Sequence, residues 1–430
     1  MSVLAGGTPG PTRVGVSAPA RSDAVRRHNL ARLLAEVHRD GELSRADLTA
    51  RLGLNRSTIG TLVGELVGLG LIEGSAPDVA ARSDLSAGRP SHLVRPRHDG
   101  PFVLAVDVEV DRIAVAAVGL GGHVLHREDR ATRGRRPTAV ATAVARAVER
   151  VVASTAGWPV GIGVSVPGSV ERRTGRVALA PNLHWRDVDF GPMLSAALAT
   201  PLHDAPILSG LANLPVHVGN DANLGAVAEQ VRGRAQGHED VVFLLGRIGV
   251  GAGIIADSHL LTGSAGAAGE VGHLCLAADG PPCHCGSRGC AEVYIGDAAL
   301  LAAAGTPGPP TRTAVHAVLA AAEAGEGREL EAVRTVARHL GRTVAALLNL
   351  VNPSVVVAGG TLARVVELAG DDTAAELGRF AFGRAGEQLE LHASSARAGD
   401  ACLLGAAELA FGPVLADPAA FGEFALSAAH

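Results

Sequence analysis

The sequence predicts an α/β protein, with a small helix-turn-helix head followed by a body of two similar α/β lobes. Three observations predict it. Hydrophobic residues make up 47% of the chain but aromatics only 3%, and there are 55 glycines among 430 residues, a balance that suits packed α/β layers better than a large β-sandwich. Apolar residues between Leu30 and Leu66 recur at helical spacing. The order strand, glycine turn, strand, first met at Phe102, is restated from Val241. A chain of this length also exceeds one core, which stops growing near roughly 250–300 residues.

Composition removes several functions at once. All 38 basic residues are Arg, so neither a Walker A loop nor a Schiff-base lysine is present. No apolar run approaches the roughly 20 residues that span a bilayer, and the first 20 residues, rich in Gly, Pro and Ala, read as a disordered leader without a signal-peptide pattern. The expected location is cytoplasmic, with no membrane partner. Five cysteines, an odd number in a reducing compartment, point to metal or free thiols rather than disulfides. Residues 1–99 hold 13 Arg and 10 acids, net +3, and the remainder 25 Arg and 33 acids, net −8. A basic head on an acidic body suits a nucleic-acid-binding module joined to another function.

Residues 21–97 form the head. Leu30, Leu33, Leu34 and Val37 make one helical stripe that stops before Asp40-Gly41. Ser44, with Asp47 three residues on, resembles a capping box, and Gly53 supplies the turn after a short helix. Asn55 then caps a second helix whose Ile59, Leu62, Val63 and Leu66 face inward. At 100° per residue that turns Ser57, Thr61 and Gly64 outward, with Arg56 and Gly60 beside them. Such a helix enters a major groove. The polar stretch up to "SHLVRP" reads as two strands around a loop, a wing with Arg89 at its tip. The candidate DNA contacts are Ser44, Arg56, Ser57, Thr58, Thr61 and Arg89. A helical protein–protein module is the bland alternative.

In the body, residues 101–220 form the first lobe and 221–399 the second, with a cleft between them of the kind that binds small ligands. Asp107 closes the first strand, and "VGIGVSVPG" is a buried strand ending at Pro167-Gly168. In the second lobe "AGEVGH" precedes "CHCGSRGC". His273, Cys283, Cys285 and Cys290 offer one imidazole and three thiolates, a donor set for structural tetrahedral Zn²⁺. The Cys-x-Cys start is tighter than the usual spacing, so free buried thiols stay open as an alternative, as does His284 in place of His273. Cys275 and Cys402 read as core residues. Asn220-Asp221 can also be a plain helix cap, and Glu292 a solvated helix start.

Taken together, "LSRADLTARLGLNRSTI", "GRPS", "GIGVSVPG", "APNLHW", "NDANLGAVAE", "GVGAGII", "AGEVGH", "CHCGSRGC", "NPSVVVAGG" and "LLGAAELAF" resemble the ROK family of repressors, open reading frames and sugar kinases, and within it the repressor branch with an N-terminal winged helix. The resemblance runs from Asn29 to Phe411. It implies an actin-like, ribonuclease-H-like body with a sugar in its cleft, and a C-terminal helix over 400–413 returning to the first lobe. By the same resemblance Asn220 and Asp221 hold the sugar, Asp221 being the general base in the kinases. Glu270, His273 and Glu292 contact further hydroxyls, and His273, Cys283, Cys285 and Cys290 bind zinc. Several fixed acceptors and amides suit a sugar, since each rejects an epimer that leaves it unpaired.

The phosphate loops depart from the family. ROK kinases open with Asp-x-Gly-Gly-Thr-Lys; this chain has Asp107-Val108-Glu109-Val110-Asp111-Arg112, and Arg247-Ile248-Gly249 replaces Gly-Thr-Gly. Carboxylates beside phosphate repel it, and side chains at glycine positions block close backbone approach. The expected protein is therefore a sugar-responsive DNA-binding regulator, read as a repressor and not an enzyme. Its expected partners are operator DNA and a sugar or sugar phosphate, and it is expected to act as a homodimer or homotetramer. The alternatives are an ATP-dependent sugar kinase with a DNA-binding head, and a constitutive DNA-binding protein with a vestigial body. His184 stands where the family commonly has Gly.

Overall fold

A computed structural model describes residues 18–75, 92–132, 134–200, 210–306, 308–325, 327–383, 385–395 and 400–421. The chain divides into two units, one holding the described residues up to Arg95 with those from Pro413, the other Pro96–Gly412.

In the first unit α1 (Ala18–Asp40) starts three residues inside the expected leader. It is followed by β1 (Leu43–Ser44), α2 (Arg45–Leu52), α3 (Arg56–Gly68), β2 (Ile72–Ser75) and β3 (Leu93–Pro96), the strands ordered β1-β3-β2. The capping box forms as the sequence reads: Asp47 N donates to Ser44 Oγ at 3.0 Å and Ser44 N to Asp47 Oδ2 at 3.1 Å. Gly53 takes a left-handed φ of 67° and ends α2, while Asn55 Oδ1 accepts from Thr58 N at 2.8 Å and starts α3. Leu30, Leu33, Leu34, Val37, Ile59, Leu62, Val63 and Leu66 are all buried. This is a winged helix-turn-helix. The wing tip with Arg89 lies outside the described residues.

The second unit repeats one topology. The first lobe comprises β4 (Pro101–Val108), β5 (Arg112–Gly119), β6 (Val124–Ala131), α4 (Pro137–Ala153), β7 (Trp158–Val166), a small sheet of β8 (Ser169–Val170), β9 (Val177–Ala180) and β10 (Trp185–Val188), then α5 (Phe190–Leu198) and β11 (Val216–Asn220). Its main sheet has the order β11-β7-β4-β5-β6. The chain continues through α6 (Asp221–Arg232), β12 (Val241–Gly246), β13 (Val250–Ala256), β14 (His259–Leu260), α7 (Glu292–Ile295), α8 (Asp297–Ala303), α9 (Arg312–Glu323), α10 (Gly327–Val351), β15 (Val355–Gly360), α11 (Thr361–Phe380), α12 (Ala385–Gln388), β16 (Glu390–Ala393) and α13 (Asp400–Ala416). The second sheet is ordered β14-β13-β12-β15-β16.

In each sheet three antiparallel strands are followed by two parallel ones, so β12 is to the second lobe what β4 is to the first. That equivalence makes the hairpin turns after β4 and β12 counterparts. The central strands are buried along their length, and their runs of Val, Ala and Leu reflect sheets covered on both faces. Helix α13 returns to the first lobe. A Cβ on Gly163 of β7 would stand 1.8 Å from the Ala406 carbonyl oxygen of α13, so this crossing requires glycine. Gly163→Ala is expected to force the helix off the sheet, at a cost near the upper end of the roughly 1–3 kcal/mol of overpacking. Calorimetry should then show the melting temperature of the body falling by about 5–10 °C.

Candidate functional site

Between the two lobes of the second unit lies a cavity of about 840 Å³. The first lobe contributes Pro167, Gly168, Asn182, Trp185 and Asn220, and the second Asp221, Gly249, Glu270, His273 and Glu292. All five residues that the resemblance gives to a sugar thus meet in one cavity.

Asn220 and Asp221 stand where β11 becomes α6. Asn220 is the helix cap, with Oδ1 accepting from Asn223 N at 2.9 Å, yet its amide also donates to the Gly168 carbonyl at 2.9 Å. That second bond fixes the side chain against the turn after β7, the neighbouring strand of the same sheet, so capping and site roles coexist. Asp221 Oδ1 accepts from Ala222 N at 2.9 Å. Burial pushes the Asp221 carboxyl up to about 7, with Arg247 opposing and Asp107 adding to the shift. Glu292 is no solvated helix start: Oε2 accepts from Val250 N at 3.1 Å, and Oε1 lies 2.9 Å from His284 Nδ1. Glu270 keeps an exposed edge, and partial desolvation at the cleft raises its pKa, with His273 opposing and Glu292 reinforcing. Gly249 must be small, because a Cβ there would come within 2.9 Å of Glu292 Oε2 and 3.1 Å of Asn182 Nδ2.

The ligand atoms of His273, Cys283, Cys285 and Cys290 all lie within 4.8 Å of one another. Cys285 Sγ is 3.7 Å from Cys290 Sγ, and Cys283 Sγ is 3.8 Å from His273 Nδ1. A tetrahedral ion bound by thiolates at roughly 2.3 Å sets sulfur–sulfur edges near 3.8 Å, whereas a disulfide would close to about 2.05 Å. The cluster therefore fits a metal ion. His273 offers Nδ1 to the cluster, which leaves Nε2 for another partner. Left-handed glycines, Gly286 at φ 92° and Gly289 at φ 63°, let the tight Cys-x-Cys loop fold round. His284 turns its Nδ1 to Glu292. Cys402 is buried as expected, but Cys275 is not: it is exposed, because its backbone bridges Cys290 and turns the thiol outward.

The hairpin turns after β4 and β12 face each other across the cavity floor. Arg247 Nη2 lies 2.9 Å from Asp107 Oδ2 and 3.7 Å from Glu109 Oε1, and Nη1 lies 3.9 Å from Asp221 Oδ2. Glu109 also pairs with Arg112 and Arg312. Burial alone would raise the Glu109 carboxyl, but these three guanidiniums hold it down at about 2. Sequence reading registered the lost glycines and hydroxyl of these turns and missed this bridge. Asn182 was missed too, although "APNLHW" was in view.

His184 has φ 57°, a conformation that suits glycine, and its Nε2 lies 3.1 Å from Arg135 Nη1 at the cavity edge. In the head, Arg56, Ser57 and Thr61 are exposed on α3 and Thr58 is half-buried. The Ser44 hydroxyl is engaged by Asp47.

A sequence profile of the ROK family matches residues 103–412. The chain belongs to the ROK family. A MarR family profile matches residues 31–83, within the winged helix. Among ROK relatives, the xylose repressor of Bacillus subtilis is 26% identical over 374 residues, 86% of this chain and 92% of that protein. The glucokinase of Streptomyces coelicolor is 30% identical over 329 residues, 73% of this chain and 98% of that protein. The crystal structure of a ROK family transcriptional regulator, a homolog of the E. coli MLC protein, superposes with a TM-score of 0.70 at 23% identity, over 93% of this chain and 97% of that one. A ROK family glucokinase from Streptomyces griseus, solved with glucose and AMPPNP, gives a TM-score of 0.60 at 30% identity over 72% and 99%. Among the described residues no helix is long and apolar enough to cross a membrane.

Proposed function

We propose that this ROK protein is a sugar-responsive repressor: the winged helix holds operator DNA, and the cleft binds a sugar without phosphorylating it. One observation carries the reading. The hydroxyl-binding set of Asn220, Asp221, Glu270, His273 and Glu292 is assembled, while the turns that would cradle nucleotide phosphates carry Glu109 and Arg247 joined across the floor. Sites that bind phosphate present unoccupied backbone amides and uncommitted positive charge; here the amides of Glu109 and Arg247 are taken by the carbonyls of Arg112 and Gly249, and the Arg247 guanidinium is committed to Asp107 and Glu109. The metal in the cysteine cluster is read as structural zinc, since four protein ligands close its coordination sphere. It stiffens the loop that presents Glu270, His273 and Glu292.

On the DNA side, Gly60 and Gly64 of α3 leave open space where a Cβ would stand, a slim face that a groove can approach closely. Arg56, Ser57, Thr58 and Thr61 are the proposed contacts from α3, with Ser44 acting through the cap of α2 and Arg89 from the wing. A two-fold operator calls for a homodimer or homotetramer. Differential affinity of the sugar for two lobe arrangements would couple cleft and head.

The test is a thermal-shift screen against pentoses, hexoses and amino sugars, beginning with xylose because repressors of that name are among the relatives. A duplex selected from a random library by the full chain is then challenged with the sugar that binds. Release supports the reading, and a panel with no binder sinks it. Arg56→Ala is expected to weaken binding of that duplex and of unrelated duplexes alike, and to lower the slope of log affinity against log salt by about one.

The retained Asp221 favours a second reading, a sugar kinase with a DNA-binding head. Sugar-dependent ADP release lost in Asp221→Asn would establish it.

A further inference from the structure

Arg247 occupies the first hairpin turn of the second lobe, opposite its counterpart turn in the first. Its guanidinium reaches Asp107, Glu109 and Asp221. Asp107 is fully buried and also accepts from Ser165 Oγ at 2.8 Å. Arg312, from α9, pairs with Glu109 and lies 3.7 Å from Asp111. The carboxylates of Asp107, Glu109, Asp111 and Asp221 therefore meet the guanidiniums of Arg112, Arg247 and Arg312, with Arg112 shared by Asp129. The buried thiol of Cys402 on α13 is the other titratable group whose charge couples to Arg247 and Asp221.

We propose that Arg247 is a positioning and specificity residue of the sugar cleft: it fills the place of a nucleotide's phosphates between the two hairpin turns and stands beside the Asp221 carboxyl that faces an uncharged sugar, so that nucleotides and phosphorylated sugars are refused. The proposal rests on reading the cleft as a sugar site. A guanidinium has five N–H donors in a fixed fork, and here the fork is aimed at three acids. A phosphate dianion drawn to Arg247 would compete with Asp107 and Glu109 for Nη2 and meet their negative charge beside it, together with that of Asp111. A sugar hydroxyl displaces nothing, because it donates to Asp221 while Arg247 stays where it is. Asp221 lies among Asp107 and Glu109 from the first lobe, Arg247 from the turn after β12 and Cys402 from α13, and Arg247 is the one cation in that set. Removing it leaves like charges around a buried carboxyl.

The test has one arm without ligand and two with it. Carbon NMR on aspartate-labelled full-length protein, with the Asp221→Asn spectrum identifying the signal, gives the Asp221 midpoint in wild type, Arg247→Met and Arg247→Lys. The Met variant is expected to raise the midpoint by a unit or more, and the Lys variant to keep it near that of wild type. A role confined to packing would lower melting temperature in both and move neither midpoint. In the second arm, wild type is expected to bind glucose 6-phosphate and N-acetylglucosamine 6-phosphate at least 100-fold more weakly than whichever panel sugar binds best. In the third, it is expected to show no binding of AMPPNP with magnesium at 1 mM ~ a concentration on the order of typical substrate levels. An unchanged Asp221 midpoint in Arg247→Met, a phosphorylated sugar within tenfold of the best sugar, or saturable AMPPNP binding would each overturn the proposal. If no sugar binds at all, the sugar reading fails, while the carboxyl midpoint and the nucleotide arm still decide the role of Arg247. Should the Met variant not fold, both wild-type ligand arms remain.

Discussion

With zinc in the cysteine cluster as proposed, Cys290→Ser is expected to lose the metal and, with it, the sugar response. Cys290 is fully buried, and its thiolate is one of four donors held within 4.8 Å. A serine hydroxyl is a far poorer ligand for a borderline-soft ion than a thiolate. Structural zinc sites contribute on the order of 10 kcal/mol to folding of small domains, but here the two lobes have large cores of their own, so the loss falls on the loop and not on the whole body. Loop residues Glu270 and His273 and the start of α7 with Glu292 are all tied to this cluster: Ala291 N donates to the Leu274 carbonyl at 2.8 Å, and Leu276 N to that of Gly289 at 2.7 Å. Loosening that frame withdraws three of the five proposed hydroxyl partners together. Elemental analysis should show zinc falling from one ion per chain to near none, and titration calorimetry should show sugar affinity falling by about 100-fold or more, at the upper end of losses from disturbed metal shells. DNA binding by the head should persist and become insensitive to sugar. Retention of both zinc and sugar response would remove the cluster from the site.

How much of this was legible in the chain varies with the range of the interaction. Local chemistry read well: Ser44 with Asp47, Gly53 and Asn55 take the roles their neighbours dictate, since caps and left-handed turns depend on a few adjacent residues. The repeated strand order also read well, because alternating buried strands and glycine turns leave a pattern that recurs. Arg247 did not. As a residue it registered only as a missing hydroxyl, because its partners Asp107, Glu109 and Asp221 come from distant segments that only the pairing of two pseudo-equivalent hairpins brings together. Cys275 misled for the opposite reason. A free cysteine is among the residue types most often buried, but a single bridge to Cys290 sets which way this side chain points. Asn182 could have been found, since an amide in a segment shared with the family is a candidate hydroxyl partner, and only its reach toward Gly249 shows it facing the cavity.

Sugar affinity is expected to rise about tenfold from pH 6 to pH 8, and Asp221→Asn is expected to flatten that rise while costing affinity itself. The Asp221 carboxyl sits near 7 because it is buried, with Arg247 offsetting part of the effect and Asp107 and Glu109 strengthening it. Ionised, it accepts from two hydroxyls; protonated, it gives up part of that capacity. With a midpoint near 7, the ionised fraction goes from roughly a tenth at pH 6 to roughly nine-tenths at pH 8, which sets the tenfold change. Stability without sugar runs the other way. The folded pKa lies above the ordinary value of 3.8, so between about 4 and 7 the folded chain holds a proton that the unfolded chain has released, and this contribution is lost as pH rises through that window. Sugar should therefore raise the melting temperature more at pH 8 than at pH 6. A hydrogen bond to a charged group contributes roughly 1.5–3 kcal/mol, so Asp221→Asn should weaken binding by about 10- to 150-fold at pH 8 and by much less at pH 6, where the wild-type carboxyl is already mostly neutral. Calorimetric titrations of both proteins across this range check all three statements. A flat wild-type profile would mean that Asp221 stays in one protonation state throughout and that the balance set by Arg247 differs from the one its geometry implies.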